Sequence, residues 1–213
     1  MNPYQASERT EKICRLAPVI PVLVVQNPDT AKPLAEALIS GGLPVLEVTL
    51  RTKSALQVIS EMAKVPGAVV GAGTITKSND IKDAINAGAS FAVSPGVTDT
   101  ILEESERHNL AIMPGAATPS EIMRLFEFGY SVQKFFPAEA NGGRAALKAI
   151  AGPLPNVKFC PTGGIHRDNA KGYLELENTL CVGGSWVATQ KLIENRDWHT
   201  VNYLAKKASK LGS

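Results

Sequence analysis

Lys134 lies in the run Val132-Gln133-Lys134-Phe135-Phe136-Pro137, a lone ammonium in a segment that otherwise reads as a central strand. Lysine is almost never fully buried, so the position needs a reason. Burial disfavours the charged form, and the neutral amine that results can attack a ketone carbon and form an imine. A structural ion pair with a carboxylate would account for the same lysine.

A second charged residue sits inside an apolar run, Glu47 in Val45-Leu46-Glu47-Val48-Thr49-Leu50-Arg51. Strand alternation puts Glu47, Thr49 and Arg51 on one face. A carboxylate beside an amine can shuttle protons while a carbinolamine forms and dehydrates, and can take the hydroxyl proton that triggers carbon–carbon cleavage. Arg51 offers a planar fork suited to a substrate carboxylate. An intrastrand Glu47–Arg51 ion pair is the structural alternative, and Glu139, in the loop after the lysine segment, is a rival base.

Glycine pairs follow the last two strand segments, in Pro161-Thr162-Gly163-Gly164 and Val182-Gly183-Gly184-Ser185. Glycine lets backbone N–H groups approach an anion closely, and loops at these places commonly hold phosphate in (β/α)₈ barrels. Metal chemistry finds less support. His108, His166 and His199 are far apart and read as surface residues, while Cys14, Cys160 and Cys181 form no CxxC pair. The odd cysteine count reads as reduced, buried thiols, not a disulfide framework.

These residues need strands to carry them. Eight β-rich segments are predicted, at 19–25, 45–50, 69–71, 91–94, 111–113, 132–136, 157–160 and 180–182. They start at intervals of about two dozen residues, enough for a strand, a helix and two short loops. Helices are predicted between them at 30–39, 54–63, 79–87, 98–108, 119–127 and 143–150, several opened by Ser, Thr or Asn. A last helix is predicted over 197–211, and an extra N-terminal helix over 2–14 that could plug the bottom of a barrel. The expected fold is therefore α/β, a single (β/α)₈ TIM barrel with an extra N-terminal helix, and one domain over residues 1–213. The GxGxxG fingerprint of an open doubly wound sheet is missing after the first strand.

Composition is that of an ordinary globular chain, 213 residues with 44% hydrophobic and 20% charged. A net charge of +2 gives no nucleic-acid footprint. The apolar run 16–25, broken by Pro18 and Pro21, is too short to span a bilayer, and the charged first twelve residues do not read as a signal peptide. A cytoplasmic protein is expected.

Taken in order, five runs closely resemble the KDPG (2-dehydro-3-deoxy-phosphogluconate) and 4-hydroxy-2-oxoglutarate aldolase family over nearly the whole chain. They are Leu46-Glu47-Val48-Thr49-Leu50-Arg51, Val70-Gly71-Ala72-Gly73-Thr74, Lys134-Phe135-Phe136-Pro137-Ala138-Glu139, Phe159-Cys160-Pro161-Thr162-Gly163-Gly164 and Gly183-Gly184-Ser185-Trp186. The resemblance implies Lys134 as the Schiff-base lysine, Glu47 as acid/base and Arg51 as a contact to the oxo acid. It implies Thr74, Pro95, Phe136 and Thr162 in the pocket, and Gly163, Gly164, Gly184 and Ser185 at the phosphate. The implied reaction is reversible cleavage of 2-dehydro-3-deoxy-6-phospho-D-gluconate to pyruvate and D-glyceraldehyde 3-phosphate, with action also on 4-hydroxy-2-oxoglutarate. Small-molecule 2-oxo acids and phosphosugars are the implied partners, with no cofactor and no metal, in a homotrimer. The run Pro114-Gly115-Ala116-Ala117-Thr118 departs from the family's Pro-Gly-Ile/Val-Ser/Ala-Thr form.

Three other readings compete with the aldolase. A phosphosugar isomerase, or a barrel that only binds ligand, leaves the strand lysine without a role. A metal-dependent aldolase would need a ligand cluster.

Overall fold

In the computed structural model, which describes residues 1–212, short parallel strands alternate with helices along the chain. The strands are β1 (Val19–Leu23), β2 (Val45–Thr49), β3 (Val69–Gly73), β4 (Phe91–Val93), β5 (Ala111–Met113), β6 (Gly115–Ala116), β7 (Val132–Phe135), β8 (Lys158–Pro161) and β9 (Val182–Gly184). The helices are α1 (Pro3–Cys14), α2 (Ala31–Ser40), α3 (Ala55–Ala63), α4 (Ser78–Asn86), α5 (Asp99–Arg107), α6 (Pro119–Glu127), α7 (Gly143–Ala151), α8 (Arg167–Leu174), α9 (Gln190–Glu194) and α10 (Trp198–Ala208).

The expected closed (β/α)₈ TIM barrel is not what the backbone pairing forms. Six strands make one parallel sheet in the order β5-β4-β3-β2-β1-β9, and three make a second, β6-β7-β8. Proline marks both interruptions. At Pro114 the chain leaves the ladder with β4 and enters the one with β7, where Lys134 N–H donates to the Pro114 carbonyl at 2.9 Å. Opposite β9, Pro161 has no N–H to donate, and β8 meets that side only through single bridges, Phe159 to Thr179 and Thr162 to Gly183. Eight segments of strand-like sequence therefore become nine strands in two sheets.

Two apolar layers follow from strand alternation. Ile20, Val45, Phe91, Val93, Met113, Val132 and Cys160 form an inner cluster with Ile13 and Cys14 of α1. Their strand neighbours, including Leu46, Val48, Ala92, Phe135 and Phe159, join the helices in a larger outer core. The predicted N-terminal helix is present. Its Asn2 side chain accepts from Gln5 N–H while Gln5 caps Asn2 in return, and Pro3 opens the first turn. Ser7 fastens it below β7, donating to the Gly129 carbonyl at 3.1 Å and accepting from Ser131 N–H at 3.0 Å.

Candidate active site

The two charged residues that stood out inside apolar runs meet in the interior. Lys134 is the third residue of β7 and Glu47 the third of β2, on different sheets, and both point to the inner side. Lys134 Nζ lies 3.1 Å from Glu47 Oε1, with the lysine 4% and the glutamate 1% exposed. A lone charge here would cost several kcal/mol in lost hydration, roughly, so each makes the other tolerable. The Phe136 ring packs against the same ammonium at 5.2 Å from its centroid, a cation–π contact that also shields the amine from water.

Room for the glutamate is made by Gly73 at the end of β3. A Cβ there would overlap Glu47 Oε1 and lie 2.6 Å from its Cγ. Thr74, immediately after, takes a left-handed backbone conformation (φ 62°), unusual for a β-branched residue, as the chain turns out of β3. Thr49 is buried one step along the strand face from Glu47, its hydroxyl donating to the Leu23 carbonyl at 2.8 Å. Arg51 Nε donates to that hydroxyl at 3.2 Å. Arg51 is exposed and makes no ion pair with Glu47, so the intrastrand alternative does not hold.

Pro95 and Phe136 line one cavity together with Gly115, Ala116 and Arg124. Through Phe136 this cavity adjoins the lysine. Gly115 is obligatory at its wall, since a Cβ would overlap the Pro95 backbone. Thr162 is buried at the end of β8, with Gly183 seated against its hydroxyl. Gly163 and Gly164 are both left-handed (φ 101° and 78°), and the Trp186 indole fills the space a side chain on Gly184 would occupy. Ser185 is exposed at the end of that strand.

Glu139 is turned elsewhere. Its carboxylate accepts a hydrogen bond from the Tyr173 hydroxyl of α8, so it is not the partner of Lys134. Of the histidines, His108 faces Glu104 at 3.0 Å, His166 caps α8 and His199 lies on α10. Among the described residues no group of three or more His, Cys, Asp or Glu side chains is arranged so that it could hold a metal ion.

A model of the KDPG and KHG aldolase family matches residues 10–204. The chain belongs to this family. Its relatives include the 2-dehydro-3-deoxy-phosphogluconate aldolase of Pseudoalteromonas atlantica, 50% identical over 90% of this chain and 89% of that one. Among solved structures, the 2-keto-3-deoxy-6-phosphogluconate aldolase of Zymomonas mobilis with 3-phosphoglycerate superposes with a TM-score of 0.91 at 46% identity, covering 96% of this chain and 97% of that one. The KDPG aldolase of Legionella pneumophila, with pyruvate captured as a covalent carbinolamine, also gives 0.91, at 43% identity over 94% of this chain and 98% of that one.

Sequence reasoning found the pair at the centre of this aldolase because each member is a charge inside an apolar strand. It missed Gly73, although a glycine on the strand beside Glu47 is a signal for close approach of a side chain. It also missed Tyr173, which sits 34 residues from Glu139 and carries no local motif.

Proposed function

We propose that this aldolase reversibly cleaves 2-dehydro-3-deoxy-6-phospho-D-gluconate to pyruvate and D-glyceraldehyde 3-phosphate through an imine on Lys134. It would also cleave 4-hydroxy-2-oxoglutarate. The observation that carries this reading is the buried 3.1 Å contact between Lys134 Nζ and Glu47 Oε1. Proton transfer from lysine to glutamate within the pair leaves a neutral amine to attack the C2 ketone and a carboxylic acid to protonate the carbinolamine oxygen. Water departs, leaving a cationic imine and the Glu47 carboxylate. That carboxylate takes the C4 hydroxyl proton as the C3–C4 bond breaks. The bond electrons move to the imine nitrogen, giving the aldehyde and an enamine. Glu47 then returns its proton to C3, and hydrolysis frees pyruvate. The carbinolamine captured in the Legionella relative supports the same first step here.

Arg51 is the proposed contact to the oxo-acid carboxylate, and Thr74, Pro95, Phe136 and Thr162 the proposed pocket. Gly163, Gly164, Gly184 and Ser185 are the proposed phosphate site. The Thr162, Gly163 and Gly164 carbonyls accept from Ala138 N–H (2.8 Å), Glu139 N–H (3.1 Å) and the Asn169 side chain (3.0 Å). In a trans peptide the N–H opposes the carbonyl, so the Gly163 and Gly164 N–H groups are turned the other way, as an anion requires. We also propose one domain over the full chain, a homotrimer and a cytoplasmic setting. No helix among the described residues is long and apolar enough to cross a membrane. An isomerase or a purely binding protein would leave the buried amine unused.

Borohydride reduction in the presence of pyruvate tests the central step. The enzyme should be inactivated irreversibly, with the adduct on the peptide containing Lys134. Lys134→Arg should be nearly inactive, because a guanidinium stays protonated and cannot attack a ketone. An adduct on another lysine, or none, removes the proposal.

A further inference from the structure

The Glu139–Tyr173 contact is outside the reaction centre, yet it touches the loop proposed for phosphate from several sides. Glu139 N–H holds the Gly163 carbonyl at 3.1 Å, and its side-chain Cβ and Cγ fill the space beside Gly164, where a Cβ would lie 2.7 and 2.6 Å from them. Its carboxylate reaches Tyr173, wholly buried on α8, while Asn169 on the same helix holds the Gly164 carbonyl at 3.0 Å. Gly143 closes over the contact, where a Cβ would lie 3.1 Å from the tyrosine oxygen and 3.3 Å from the carboxylate. A negative side chain beside an anion loop is unfavourable unless it is aimed away and held there by a donor. Tyr173 supplies that donor. Burial, then the hydrogen bond and charge of Glu139, push its phenol well above the usual range, so it keeps its proton.

We propose that Glu139 and Tyr173 are positioning residues that fix the Gly163–Gly164 loop for the phosphate end of the substrate and keep the Glu139 charge turned away from it. The proposal rests on the phosphate reading given above. A tyrosine that merely packed α8 would affect every substrate alike. A lock on the phosphate loop affects only the phosphorylated one.

Tyr173→Phe keeps the ring and removes the donor. The variant should raise KM for 2-dehydro-3-deoxy-6-phosphogluconate by about tenfold, the scale of one hydrogen bond to a charged group. Its kcat/KM for 4-hydroxy-2-oxoglutarate and its rate of borohydride trapping with pyruvate should stay within about twofold of the parent, since neither involves phosphate. Adding Glu139→Gln should recover part of the lost KM, because the freed carboxylate is then neutral. Equal losses on both substrates, no change in either, or a double variant no better than Tyr173→Phe would each overturn the lock. Gly163→Val separates this from the parent reading. If Gly163→Val also fails to distinguish the two substrates, the phosphate assignment falls as well; if it does distinguish them, only the lock falls.

Discussion

Glu47 is held in place by what is missing next to it. Gly73 has no side chain, and the carboxylate occupies the volume a methyl group would need. Gly73→Ala should therefore push Glu47 off Lys134 without removing any reacting group. A displacement of about 1 Å costs roughly 10²-fold in turnover, so kcat should fall on that scale, near the lower end of the roughly 10²–10⁴-fold loss expected when Glu47→Gln removes the proposed acid/base. The measurement is steady-state kcat for the two variants, with circular dichroism to establish that each is folded. Unchanged kcat in Gly73→Ala would mean that the carboxylate can work from another position. Lys134 and Glu47 were readable in the sequence because a charge inside an apolar strand violates the ordinary pattern, and such violations gather at sites. Arg51 obeyed the alternation that led to it, but it lies past the end of β2, where the strand no longer dictates direction, and its side chain is exposed.

Helix α6 carries the wall of the Phe136 cavity, and its first turn is fixed by a reciprocal cap. The Thr118 hydroxyl accepts from Glu121 N–H, while the Glu121 carboxylate accepts from Ala117 N–H, Thr118 N–H and the Thr118 hydroxyl, each at 2.9 Å. The Ala117 N–H, followed by those of Thr118, holds this carboxyl below the ordinary value of 4.5. A folded-state depression means that the cap stabilises fully above the unfolded value and fades as the acid protonates on the way down. Glu121→Gln should lower stability at pH 7 by about 0.5–1 kcal/mol, a modest figure because the site is exposed. In urea melts the gap to the parent should close as the pH drops below 4.5, and a gap that persists unchanged in acid would rule out the charge as its source. Such caps are local, so the sequence announces them, as it does α1 and most strands. β6 is only two residues long, too short for any period, and α8, with Asp168, Asn169, Lys171 and Gly172 in its body, shows little apolar repeat. The break between sheets depends on where Pro114 and Pro161 fall in the ladders, which strand counting does not consult.

Taken as a whole, the molecule is fastened at one end by α1, whose Ser7 satisfies two backbone groups in the segment leading into β7. Ser7→Ala leaves the Gly129 carbonyl and the Ser131 N–H without that partner in a buried setting, at a cost of about 1–3 kcal/mol. At this chain length the melting temperature should fall by roughly 2–10 °C, with kcat at 25 °C unaltered. A loss of kcat with no change in melting would show that α1 acts on the site and not on the fold. The division into two sheets reaches further than stability. Lys134 rides on the three-stranded sheet and Glu47 on the six-stranded one, and no continuous ladder joins them. The distance between Lys134 and Glu47, the proposed nucleophile and proton carrier, is thus a measure of how one sheet seats against the other. Packing in the layers on either side, with Met113 in the inner cluster and Phe135 in the outer core, thereby becomes part of the geometry of the proposed proton transfer, although neither side chain reacts.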